Sequence, residues 1–148
     1  MYGTASEHCM LYQYLLYGAK DVFMGMIQTE SPYFLPSPQS PGPFTNVAGN
    51  FPGDPDFKDC DGSNPHCAAP WGLMIVVSTN VHILSAGLYN WFQEYTQPYV
   101  DSQDCQQRVV FVKASGNIWV YNLYTIGTVE PTPIPSSLGT LQCHVRLA

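Results

Sequence analysis

Glu7, in Gly3-Thr4-Ala5-Ser6-Glu7-His8, and Glu30, in Ile27-Gln28-Thr29-Glu30-Ser31-Pro32-Tyr33-Phe34, stand 23 positions apart (30 − 7) in a chain of which only 11% is charged. Two carboxyl groups brought side by side do not ionise independently. One keeps its proton to higher pH, and a carboxyl still protonated near neutrality can serve as a general acid. The interval is about one coil of a β-solenoid, so stacked coils would set the two acids on neighbouring rungs of one wall. The same spacing is also met by two unrelated surface carboxylates, the commonest setting for acidic residues.

A second candidate cluster is Cys60 and Cys67, which flank the turn-rich Asp61-Gly62-Ser63-Asn64-Pro65-His66. Such a segment can close a small disulfide loop. A zinc site from Cys60, His66 and Cys67 is the rival, but no second Cys or His pair at finger spacing follows, so no metal is expected. The five cysteines allow at most two internal disulfides, and the pairing of Cys9, Cys105 and Cys143 stays open.

The surroundings of these residues narrow the ligand class. Aromatic residues make up 14% of the 148, ten of them tyrosine, and low charge beside many amides and hydroxyls suits a neutral, hydroxyl-rich ligand such as a carbohydrate. The formal charge is −6, and the basic residues Lys20, Lys58, Arg108, Lys113 and Arg146 are scattered, so nothing would track a nucleic-acid backbone. Apolar runs end within a strand's length, which excludes a membrane-spanning helix. The first residues lack the basic start and apolar middle of a secretory signal; the chain as given is expected either to stay in the cytosol or to lack its true N-terminus.

The elements that must hold the acids read as strands, on β-branched and aromatic enrichment over 11–17, 20–28, 71–78, 81–84, 108–113 and 117–124. Turns at Gly18-Ala19-Lys20-Asp21, Ser78-Thr79-Asn80 and Ser115-Gly116-Asn117 separate them. Val22, Met24 and Met26 alternate with Phe23, Gly25 and Ile27, which predicts a strand packed on both faces. Nine prolines between residues 31 and 70 exclude a long helix or central strand there. That stretch starts directly after Glu30 and carries Tyr33, Phe34, Phe44, Phe51 and Phe57, so it is expected to wall a cleft. An all-β fold follows, and pattern alone leaves a solenoid and a hairpin-built sandwich both open.

The series Gly3-Thr4-Ala5-Ser6-Glu7-His8, Leu11-Tyr12-Gln13-Tyr14 and Asp21-Val22-Phe23-Met24-Gly25-Met26-Ile27-Gln28-Thr29-Glu30-Ser31-Pro32-Tyr33 resembles the C-terminal half of fungal exo-β-1,3-glucanases of glycoside hydrolase family 55. Asp54-Pro55-Asp56-Phe57, Ala69-Pro70-Trp71-Gly72-Leu73, Ala86-Gly87-Leu88-Tyr89-Asn90-Trp91-Phe92 and Trp119-Val120-Tyr121-Asn122-Leu123 follow in the same order. The resemblance covers residues 1–127 and implies part of a right-handed parallel β-helix, the C-terminal one of two, with a Pro-rich loop at 31–70 and a divergent tail at 128–148.

It further implies exo-hydrolysis of laminarin-like β-1,3-glucan with inversion, without a cofactor, by a secreted protein of which this chain would be a segment; a non-catalytic β-glucan-binding protein or an inactive remnant is the alternative. Glu30 takes the place of the general acid and Glu7 that of the acid assisting the attacking water across the sugar. Inversion requires carboxyl groups roughly 6.5 to 9.5 Å apart. Tyr33 and Trp71 are the candidate sugar-stacking rings, with core packing the rival reading for Trp71. Gln28, two residues before Glu30 and so on the same side of a strand, is placed to bond a hydroxyl or the water, and His8 to tune Glu7. Part of the pocket would come from the N-terminal β-helix, the expected partner.

Overall fold

A computed structural model describes residues 1–131 and the backbone of 141–145. Its elements are β1 (Tyr2–Glu7), β2 (Tyr12–Tyr17), β3 (Lys20–Glu30), β4 (Trp71–Val76), β5 (Thr79–Tyr89), the single turn α1 (Tyr99–Ser102), β6 (Gln106–Arg108), β7 (Val110–Lys113), β8 (Gly116–Ile126), β9 (Thr128–Glu130) and β10 (Leu141–Val145). The sheets run β1-β3-β5-β8-β10, β2-β4-β7 and β6-β9, and every pair of strands within them is parallel. The chain thus visits one sheet, crosses to the next and returns one rung further on, as a partial parallel β-helix does. Hairpins would have paired the strands antiparallel, so the sandwich is excluded. Among the described residues no helix is long and apolar enough to cross a membrane.

Register gives the length of a coil. Glu7 pairs with Glu30, and Leu141 with Ile118, each an offset of 23. Between them the offset grows to 59 (Glu30 with Tyr89) and 37 (Tyr89 with Ile126). The excess leaves the coil after Glu30, as the loop 31–70, and after Tyr89, as the segment 90–105 that contains α1.

Corners are made by stacked residues with left-handed backbone. Gly3, Met26, Ser85 and Asn122, at φ between 52° and 66°, occupy equivalent places in β1, β3, β5 and β8. Each bends its strand and shifts the in–out alternation by one residue. A second column, Asp21, Asn80 and Asn117, has φ of 54–55°. There the amides ladder from coil to coil, Asn80 Nδ2 donating to Asp21 Oδ1 (2.6 Å) and Asn117 Nδ2 to Asn80 Oδ1 (2.8 Å). Asn and Asp tolerate this backbone region best among non-glycine residues.

The phase shift explains one difference from the sequence reading. Met24 and Ile27 point into the core, while Phe23 and Met26 are 53% and 57% exposed, so β3 is buried on one face only. The strand buried on both faces is β4, all six residues of it. Inside, Leu73 and Ile75 meet Ile83, Val110 and Val120; outside, Trp71, Met74 and Val76 are covered by Phe57 and Ala68 of the loop 31–70. That loop is therefore mainly a roof on the second sheet. Burial of Phe57 alone contributes about 2 kcal/mol toward ordering it.

Three strands escaped the sequence reading at the ends. Tyr2–Glu7 carries no apolar run and owes its strand state to pairing with β3. β9 and β10, within the tail expected to diverge, continue the sheets beside β6 and β8; the rest of the tail lies outside the described residues. The predicted strand 108–113 is two pieces, β6 and β7, meeting at buried Val109.

Cys60 and Cys67 are joined in a disulfide, and the Arg108 guanidinium lies against both sulfurs (3.5 and 3.4 Å) while pairing with Asp59. Cys9 is exposed and Cys105 buried, both as thiols. Burial, followed by the nearby Asp104, pushes the Cys105 thiol up to about 11. Thiolate is the reactive form, so iodoacetamide on the native protein is expected to label Cys9 and to spare Cys105 until denaturant is added. Mass spectrometry of the peptides checks this, and equal labelling of both would contradict the burial.

Candidate active site

At the C-terminal ends of β1 and β3 the pairing sets Glu7 beside Glu30 on the outer face of the first sheet. His8 follows with a left-handed φ of 63°. Its backbone N–H donates to the Glu30 carbonyl (2.8 Å), which carries the ladder one residue past the strand. The turn brings the imidazole to Glu30: His8 Nε2 is 3.7 Å from Glu30 Oε2. Gln28, on the same face, donates from Nε2 to Glu7 Oε1 (3.1 Å), so its amide holds Glu7.

Glu30 is the less exposed acid, its side chain 14% accessible. Burial raises its proton affinity above the ordinary glutamate value of 4.5; the His8 charge opposes this and the Glu7 charge adds to it. A carboxyl so placed holds its proton where an open one has lost it. Tyr33 stands over the pair with its ring tilted on His8 (4.3 Å between centroids) and edge-on to Phe92 (4.6 Å). Partial burial, then Glu30 and Glu7, raise the Tyr33 phenol as well.

One carboxylate oxygen of each glutamate and a ring nitrogen of His8 lie within 4.8 Å of one another. Glu7 and Glu30 are thus closer than the roughly 6.5 Å that inversion across a sugar requires, and both stand on one wall rather than on opposite sides of a ligand. The three are also the residues that could hold a divalent cation.

Trp71 is not part of this group. It is 5% exposed on the other sheet, packed on Phe111 with the Arg108 guanidinium 5.0 Å from its ring centre. It lines a separate groove of about 810 Å³ with Tyr17, Phe57 and Lys113. A smaller cavity of about 410 Å³ is lined by His8, Met10, Tyr12, Phe44 and Phe51.

Sequence reasoning passed over the next two rungs. Tyr89 pairs with Glu30 and Ile126, and Gly87 with Gln28 and Tyr124, so all share the outer face. Trp91 leans on Tyr89 (5.2 Å) and Tyr124 meets it edge-on (6.1 Å). Tyr89-Asn90-Trp91-Phe92 is conspicuous in the sequence, but only the 59-residue offset, hidden by the loop, connects it to Glu30.

No family profile matches the chain. It is 39% identical over 140 residues to a "probable glucan endo-1,3-beta-glucosidase" of Arthroderma benhamiae, covering 94% of this chain and 15% of that protein. It is 32% identical over 133 residues to a glucan 1,3-beta-glucosidase of Cochliobolus carbonum, covering 86% of this chain and 16% of the relative. A non-secreted LysM effector, LysM15, of Penicillium expansum is 47% identical over 130 residues, which is 88% of this chain and 8% of that protein. The chain is homologous to fungal glucan 1,3-β-glucosidases over most of its length, and spans a small fraction of the length of the relatives it matches.

Proposed function

We propose that this chain carries the proton-donating wall of a β-1,3-glucan hydrolase, with Glu30 as general acid. The observation that carries the reading is the register-locked apposition of Glu7 and Glu30, in which burial raises the proton affinity of Glu30 above the ordinary glutamate value. Protonation of the departing glycosidic oxygen needs such a carboxyl. Glu7, held by Gln28, acts on the proton affinity of Glu30 and on the hydroxyls of the sugar. Inversion, which the resemblance to glycoside hydrolase family 55 implies, requires a water-activating group across the sugar from this wall, a place suited to the N-terminal β-helix of a longer protein. Tyr33 covers the sugar from the loop side. Secretion fits the Cys60–Cys67 disulfide, which persists in oxidising compartments.

The test is incubation of a protein that joins this wall to the N-terminal β-helix with soluble β-1,3-glucan, with products followed by NMR and chromatography. Glucose released first as the α-anomer is the expected result; β-glucose would overturn inversion while leaving hydrolysis standing, and a ladder of oligosaccharides would replace exo by endo action. A second reading, glucan binding without hydrolysis, is favoured by one comparison, the 47% identical relative being named an effector and not a glucosidase. Binding with no sugar released, undiminished in Glu30→Gln, would select it. Absence of both binding and release would sink both readings.

A further inference from the structure

The outer face that holds the acids divides in two along the solenoid axis. Its first two rungs present Glu7, Gln28 and Glu30; the next two present Gly87 with Tyr89, then Tyr124 with Ile126. Rungs are about 4.8 Å apart, close to the length of one pyranose ring, so the aromatic half begins one sugar beyond Glu30 and extends over a second. The rings are accessible: Tyr124 is 37% exposed, and Tyr89 and Trp91 are half-buried.

Their arrangement depends on one missing side chain. Tyr89 folds back across Gly87, where an added Cβ would meet its hydroxyl and the ring carbon bearing it. Lying over the glycine, the ring turns from the strand's outward direction toward the surface, with Trp91 against one side and Tyr124 edge-on at the other. A set of rings braced by one another is preorganised, and ring faces of this kind cover the apolar C–H faces of sugars while the phenols bond hydroxyls.

We infer that Tyr89, Trp91 and Tyr124 form a binding platform for the β-1,3-glucan residues that adjoin the one held at Glu30, so that the polysaccharide runs along the solenoid axis, across the rungs. The inference rests on the proposed function, since it takes its ligand from there. It also predicts a length dependence which neither the acids nor Tyr33 supply.

Calorimetric titration of the full chain bearing Glu30→Gln, which stops turnover, with β-1,3-gluco-oligosaccharides from disaccharide to hexasaccharide, tests it. Affinity is expected to rise about tenfold from the disaccharide to the tetrasaccharide, the worth of one or two stacked rings. Tyr124→Ala, and Gly87→Ala, which displaces the Tyr89 ring without backbone strain, are each expected to remove most of that rise. Tyr17→Ala, on β2 of the second sheet, should keep it. A rise that survives both variants overturns the platform, as does a parent protein that binds all lengths equally well. A parent that binds none of them overturns the proposed function and the platform with it, and is told apart from the first two results by the missing disaccharide signal.

Discussion

Replacement of Glu30 by glutamine is expected to lower β-1,3-glucan hydrolysis by about 10²–10⁴-fold, the usual worth of a positioned general acid, while the thermal unfolding midpoint stays close to that of the parent. Glutamine keeps the shape and neutrality of the protonated acid and loses only the transferable proton. An intact fold with full activity would remove Glu30 from the chemistry. The pH profile gives a second handle. The acid must be protonated to act, so activity falls as pH rises through the Glu30 pKa, which burial and the neighbouring Glu7 hold above 4.5. Glu7→Gln removes a like charge and should move this limb to lower pH; His8→Gln removes the opposing charge and should move it to higher pH. Movement of both in one direction would deny the electrostatic account. Stability follows the same sign. Below the ordinary carboxylate range both folded and unfolded chains hold the proton, and between that range and the raised folded value only the folded chain does. The Glu30 contribution to stability therefore falls as pH rises through that window.

The largest structural effect is expected at Gln106. It is fully buried, accepts at Oε1 from Ser31 Oγ (2.8 Å) and Asn90 Nδ2 (3.4 Å), and donates from Nε2 to the carbonyls of Pro70 (2.9 Å) and Arg108. Ser31 and Pro70 are the two ends of the loop 31–70, so one side chain from the next coil clasps the insertion where it leaves and where it returns. Gln106→Leu keeps the volume but strands the Ser31 hydroxyl, the Asn90 amide and the Pro70 carbonyl in the interior. At about 1 kcal/mol or more for each orphaned group the loss is about 3 kcal/mol, and the unfolding midpoint should drop by about 6–12 °C. Limited proteolysis should cut first within 31–70. The exposed Gln97→Leu should change the midpoint by less than about 2 °C. A Gln106 variant as stable as that control would show that the ends of the loop are held by other means.

Much of this clasp was illegible in the sequence for a physical reason: the partners of Gln106 are brought together by a coil whose length nothing local specifies. The coil itself could be read only where it is uninterrupted, between Glu7 and Glu30; from Glu30 to Tyr89 the loop conceals the same repeat. Strand tracts such as 71–78 and 117–124 were visible because β-branched and aromatic side chains mark a pleated, packed surface. Their direction inward or outward was not, because a single left-handed residue such as Met26 or Ser85 inverts the alternation and neither side chain advertises that backbone. The acids and Gln28 stand out by type and spacing, and the structure brings them together on one face. Trp71 was picked for its ring, and a ring is equally at home in a core, where the roof of the second sheet places it. Nothing local ties Tyr89 or Tyr124 to Glu30, since only register connects them to it.

The left-handed corner columns have a consequence for how this wall tolerates change. Because the turn at Asp21, Asn80 and Asn117, and again at Met26, Ser85 and Asn122, is made afresh in every coil from the backbone of the coil before, they act as checkpoints at which positional error is cancelled. An excursion after Glu30 or Tyr89 alters how far the chain travels before it comes back, and leaves untouched the place to which it comes back. Loops of very different size can then be tried at the edge of the wall over evolutionary time, each a separate experiment, without disturbing the alignment of Glu7 with Glu30.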